Sequence, residues 1–188
     1  MARIVFMVEE PSIKVFLDKA LPRFFPTMDF LCIPHQGKQD LEKSLPRKLK
    51  GWTYPEDRFV VIRDKDRDDC VGLKQSLVTL CAKAGRPDTL VRIACHELEA
   101  WYIGDPAGMA TAFASPALAA IAKKKKFRNP DIIQKPSLEI KILYPGFQKI
   151  RGARSVADHL SYTRNNSKSF RILIEGLARI TQYPVPTI

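Results

Sequence analysis

Apolar residues in the first half of the chain gather into four short runs, at 3–8, 30–34, 59–63 and 90–95. Predominantly apolar runs of this length read as strands covered on both faces. Amphipathic stretches from about 12 to 21, 40 to 50 and 71 to 84 lie between them, and His35-Gln36-Gly37-Lys38 and Gly85-Arg86-Pro87-Asp88 supply turns. Strands that alternate with helices in this way predict an α/β fold with a four-stranded parallel sheet flanked by helices.

Beyond Glu97 the pattern turns helical. A helix from Glu97 to Ile103 stops at Gly104, Asp105-Pro106 opens another, and Ser115-Pro116 starts an alanine-rich helix that runs into Lys123–Arg128 and breaks at Asn129-Pro130. Further helices are expected at 137–143, 154–162 and 167–182, the last striped by Phe170, Leu173, Ile174 and Leu177. The expected organisation is therefore an α/β core over residues 1–105 and a helical C-terminal extension over 106–188.

Three of the four runs end in acids. The first delivers Glu9-Glu10, the third Asp64-Lys65-Asp66-Arg67-Asp68-Asp69, and the fourth His96-Glu97-Leu98-Glu99. Ligands bind at the C-terminal edge of open parallel sheets, so acids far apart in sequence can converge there. Packed carboxylates repel one another, and divalent cations are an economical way to offset them.

Composition sharpens this picture. The net charge is +11, yet Glu9, Glu10, Asp64, Asp66, Asp68, Asp69, Glu97 and Glu99 are eight of only 20 acids, leaving 31 basic against 12 acidic residues elsewhere. An acidic site in a basic body suits a polyanion held around metal ions. No apolar run approaches the roughly 20 residues that span a bilayer, and no signal-peptide core opens the chain, so the expectation is a cytoplasmic protein without membrane contact. Cys32, Cys70, Cys81 and Cys95 form no CxxC pair, which excludes zinc-finger spacing; Cys32, Cys81 and Cys95 read as small core residues.

Val8-Glu9-Glu10 and Asp64-Lys65-Asp66-Arg67-Asp68 together resemble the Toprim superfamily, shared by topoisomerases, primases and nucleases of the overcoming-lysogenisation-defect type. This resemblance covers about the first 105 residues, with Glu10 standing where many such proteins have glycine. Over nearly the whole chain, Val8-Glu9-Glu10-Pro11-Ser12, Gln36-Gly37-Lys38-Gln39-Asp40-Leu41, Arg63–Cys70, His96-Glu97-Leu98-Glu99-Ala100-Trp101 and Lys149-Ile150-Arg151-Gly152-Ala153-Arg154 resemble a family of small standalone Toprim-like proteins of unknown function. Members are often encoded beside an ATPase, in settings suggestive of phage defence.

The expected chemistry is metal-dependent phosphodiester hydrolysis, which two Mg²⁺ or Mn²⁺ ions about 4 Å apart can support. Asp64 and Asp66, two residues apart, project similarly if strand geometry persists, and are assigned to one ion; Asp68 extends the row. The resemblance implies a metal-linked or acid/base role for Glu9, preferred over Glu10, and a second ion on Asp68 and Glu97. It also makes Lys149 the candidate for stabilising transition-state charge, with a structural ion pair as the alternative. For Glu99 a helix-dipole role and a ligand role are equally open. Asp69 is expected to cap a helix, His96 to be an exposed linker residue, and Trp52 and Trp101 to pack.

Lys38, Lys124, Lys125, Arg128, Arg151 and Arg154 are the candidate nucleic-acid contacts, the lysine run being otherwise a solvated helix end. The leading expectation is a nuclease acting on DNA, with an ATPase partner. A non-catalytic Toprim module that binds nucleic acid or a partner protein is the alternative. A phosphatase with Asp64 as nucleophile is disfavoured because that motif normally follows the first strand.

Overall fold

The computed structural model describes residues 2–188. Its sheet contains β1 (Ile4–Val8), β2 (Phe30–Pro34), β3 (Arg58–Asp64) and β4 (Leu90–Ala94), all parallel in the order β2-β1-β3-β4. Ile4 pairs with Phe30 on one side and Arg58 on the other, and Val60 pairs with Leu90. This register brings the C-terminal ends of β1, β3 and β4, with their acids, to one edge.

Two apolar layers cover the sheet. Val5, Met7, Phe59, Val61, Val91 and Ile93 face α2 (Lys38–Lys50) and α3 (Cys70–Lys83), where Leu41, Leu45, Leu49, Leu77 and Cys81 meet them. The alternate residues Ile4, Phe6, Val8, Val60 and Ile62 face α1 (Pro11–Phe24) and the helices of the second half. Those are α4 (Glu99–Ile103), α5 (Pro106–Ala112), α6 (Pro136–Leu143), α7 (Lys149–Ala157) and α8 (Lys168–Thr181). Residues on both sides of position 105 share this larger core, in which Phe16, Trp101, Tyr102 and Phe170 pack ring against ring. No described helix is long and apolar enough to cross a membrane.

Local chemistry sets the helix starts. Asp69 accepts from Gly72 N at 2.6 Å to cap α3, Asp105 accepts from Gly108 N to cap α5, and Ser167 accepts from Phe170 N to cap α8. Trp52 and Trp101 both pack, the first against Phe59 with its Nε1 on Asp57 and the second fully buried. Cys32 and Cys81 are buried, and Cys70 and Cys95 are half-buried free thiols.

Two expectations are corrected. The alanine-rich segment is not an α-helix but 3-10 turns at Pro116–Lys123 and Lys125–Phe127. Its buried residues, Leu118, Ile121 and Phe127, fall at multiples of three, the period of the tighter helix. The helix expected at 154–162 lies instead at Lys149–Ala157, where Gly152 lets the Phe147 ring approach so closely that a Cβ there would collide with it.

Candidate functional site

Strand parity sorts the acids. Asp64 ends β3 on the side of Val60 and Ile62, facing α1 and α7, whereas Arg63 takes the side of Phe59 and Val61, facing α2 and α3. Two different clusters result at the same sheet edge.

On the α1 side stand Asp64, Glu10, Glu99, Tyr102 and Lys149. Asp64 is 4% exposed, while Glu99 and Tyr102 are fully buried. Among the described residues, Asp64 Oδ1, both Glu99 carboxylate oxygens and the Tyr102 hydroxyl find no hydrogen-bond partner. Lys149, the first residue of α7, holds its Nζ at 3.2 and 3.4 Å from the two Glu10 carboxylate oxygens, and Ser12 Oγ also donates to Glu10.

Electrostatics bind these groups into one unit. Burial, then the charges of Glu10, Glu9 and Glu99, raises the Asp64 carboxyl well above its ordinary range, with Lys149 opposing. Burial pushes Glu99 up to about 7, again against Lys149. Burial works against the Lys149 charge too, but Glu99, Glu10 and Asp64 outweigh it and hold the ammonium above its usual value. The Tyr102 phenol is raised by burial and by the same three acids.

Glu9 sits between the clusters. Its Oε2 accepts the backbone N–H of Asp64 at 3.0 Å and lies 4.0 Å from Arg63 Nε. Burial raises the Glu9 carboxyl, and the Asp64 hydrogen bond partly offsets this. On the α2/α3 side the buried Arg63 reaches Glu42 at 3.1 Å and Asp68 at 2.8 Å. The Arg63 hydrogen bond holds the Asp68 carboxyl below its ordinary value.

The loops after β3 and β4 are tied together above this edge. Lys65 N donates to Ala94 O, Asp66 N donates to His96 O at 3.0 Å, and His96 Nδ1 donates to Asp66 O. His96 is thereby 5% exposed, which corrects the expectation of an exposed linker residue: its ring closes the contact between the two loops. Asp66 adopts φ 52°, which ends the strand-like alternation, and its carboxylate pairs with Lys38 at 3.5 Å. The geometry that would have aligned Asp64 and Asp66 therefore stops at Lys65.

Glu97 is used differently again, its Oε2 accepting Ser137 N at 2.8 Å to cap the start of α6. With Lys38, Asp66, Arg67, Gln134 and Lys135 it lines a cleft of about 280 Å³. Lys124, Lys125, Arg128 and Arg154 are exposed, and Arg151 lines a separate cleft with Phe113, Tyr144 and Phe147.

The structure thus gathers Glu9, Asp64 and Lys149 with Glu10 and Glu99, and sets Asp66, Asp68 and Glu97 against Lys38, Arg63 and the start of α6. Tyr102 was not singled out by sequence. Its signal is the i,i+3 spacing from Glu99, which puts both on one face of α4. Among the described residues, no group of three or more His, Cys, Asp or Glu side chains stands ready to cage a metal ion. The donor chemistry nevertheless fits a hard cation: buried carboxylate oxygens lacking any partner are the ligands such ions take.

Fold and site define an α/β protein whose parallel sheet carries a buried acid–lysine cluster at its C-terminal edge. Residues 8–178 match the family described as a domain of unknown function (DUF4276), and the chain belongs to that family. Its fold is similar to that of the C-terminal region of the Burkholderia pseudomallei OLD protein, with a TM-score of 0.55 and 18% sequence identity over 96% of this chain and 98% of that one. No curated protein matches the sequence.

Proposed function

We propose that this protein is a metal-dependent nuclease that hydrolyses phosphodiester bonds in DNA. The observation that carries the reading is the set of partnerless buried oxygens on Asp64 and Glu99, at the sheet edge of a fold shared with the OLD C-terminal region. The resemblance of Glu9 and Asp64–Asp68 to Toprim nucleases supports the same reaction class.

Asp64, Glu99 and Glu10 would hold Mg²⁺ or Mn²⁺, as one ion or a pair. When bound, such ions supply an activated water and neutralise charge on the reacting phosphate. Glu9 orients Asp64 through the backbone N–H, and Lys149 presents an ammonium that stabilises developing negative charge. Lys38, Arg67 and Lys135 line the adjacent cleft and would hold flanking phosphates. Lys124, Lys125, Arg128, Arg151 and Arg154 would add to the basic field that steers DNA to the protein. An ATPase partner that governs access to DNA, in defence against phage, fits the closer family resemblance.

The burial of Asp64 and Glu99 favours a second reading, a module that binds nucleic acid or a partner protein without cleaving. Incubating supercoiled plasmid and labelled single strands with Mg²⁺ or Mn²⁺ separates the two. The nuclease reading expects cleavage by the wild type and none by Asp64→Ala or Glu9→Gln. DNA binding without cleavage in either metal, unaffected by Asp64→Ala, would establish the module instead.

A further inference from the structure

Lys149 occupies an unusual place for a lysine. It is the first residue of α7, the positive end of the helix dipole, and no acid stands in that helix's first turn. A cation is disfavoured there. What holds it is the cluster across the interface: Glu10 at 3.2 and 3.4 Å, backed by Glu99 and Asp64. The buried cation at this edge, Arg63, is committed to Glu42 and Asp68 on the opposite side of the sheet. Among the described residues, opposing the acids on the α1 side therefore falls to a single ammonium, and three of their carboxylate oxygens are left without a hydrogen-bond partner.

We propose that Lys149 is the internal counter-ion of the acid cluster and competes with the divalent cation for it, so that metal binding frees its ammonium from Glu10 to meet a substrate phosphate. This rests on the metal-dependent reading above. An ammonium and a divalent cation placed against the same carboxylates repel each other, so each lowers the other's hold on the site. The contact is also open to exchange, because the Lys149 side chain is 39% and the Glu10 side chain 26% exposed while the acids behind them are buried.

Calorimetric titration of the full chain with Mn²⁺ tests this without recourse to activity. Lys149→Met is expected to bind Mn²⁺ about tenfold more tightly than wild type, and Lys149→Arg to bind with wild-type affinity. In the wild type, amine labelling of Lys149 followed by mass spectrometry should accelerate severalfold on adding Mn²⁺, with the exposed Lys124 and Lys125 as unchanged controls. Unchanged or weaker Mn²⁺ affinity in a folded Lys149→Met protein, or labelling indifferent to Mn²⁺ that the wild type demonstrably binds, overturns the counter-ion role. If the wild type shows no Mn²⁺ binding that Asp64→Asn removes, the metal-dependent reading itself falls and this inference with it.

Discussion

Asp64 donates its backbone N–H to Glu9 Oε2 at 3.0 Å while its own carboxylate turns to the α1 face of the sheet. One residue is thus held in place by the acid that follows β1, while its Oδ1 is left without a hydrogen-bond partner among the described residues. Glu9→Ala leaves that buried N–H without an acceptor and should cost about 1–3 kcal/mol of stability. Glu9→Gln keeps an acceptor oxygen and should cost less, about 1 kcal/mol, through loss of the charge-assisted bond. Urea unfolding of the three proteins checks the order, and equal midpoints for the two variants would show that the hydrogen bond contributes nothing.

The acids at this edge should separate in their effect on metal. Asp64 and Glu99 carry partnerless oxygens, whereas Glu97 caps α6 through Ser137 N and Asp68 is held by Arg63. Asp64→Asn and Glu99→Gln should weaken Mn²⁺ binding by at least roughly tenfold, while Glu97→Gln and Asp68→Asn should stay within about threefold of wild type. Mn²⁺ titration gives the ranking directly. A loss in Glu97→Gln as large as in Asp64→Asn would place the ion in the cleft beside Lys38 instead, and one in Asp68→Asn would place it beside Arg63.

The sheet was legible because four apolar runs of strand length are separated by helical patterns, and the convergence of acids followed from parallel topology. Their division between two faces was not legible. It depends on where alternation stops, and the positive φ of Asp66 has no mark in an Arg-Asp-Lys-Asp-Arg-Asp string. Glu99 over Glu97 was equally hidden. All five residues of α4 are buried, so no polar face distinguishes it and an acid inside it reads as surface. Asp69, by contrast, was readable as a cap because it immediately precedes a helical pattern, which is a local signal.

Asp105 should prove the most sensitive structural acid outside the site. It is 1% exposed and accepts from Gly108 N, Ser161 N at 2.8 Å, and Arg164 Nε and Nη2 at 3.1 and 2.9 Å, joining α5 to the segment before α8. Arg164 is half exposed and can turn to water, but removing the carboxylate leaves the buried N–H groups of Gly108 and Ser161 without an acceptor. Asp105→Ala is expected to destabilise by about 1–3 kcal/mol, and Asp105→Asn by less because it retains one acceptor. Thermal unfolding measures both, and a change in Asp105→Ala under about 1 kcal/mol would show this network to be dispensable.

His35 makes stability depend on pH. It is 1% exposed at the end of β2, where its Nδ1–H donates to Val8 O at 2.9 Å and its Nε2 accepts from Lys48 Nζ at 2.8 Å, an arrangement open only to the neutral ring. Burial, with Lys48 adding to it, lowers the folded pKa from the ordinary 6.5. As pH falls through 6.5 the unfolded chain takes up its proton first, so stability is full above that value, declines until the folded pKa is reached, and is lost no further below it. Urea midpoints between about pH 7.5 and about pH 5 should therefore fall in the wild type and fall less in His35→Gln, which cannot take up that proton. Because Val8 O lies one residue before Glu9, acid should also loosen the β1 end of the site, seen as a lower protection factor at the Glu9 amide, its exchange rate being taken relative to the intrinsic rate at each pH. Parallel pH profiles for wild type and His35→Gln would exclude His35 as the source.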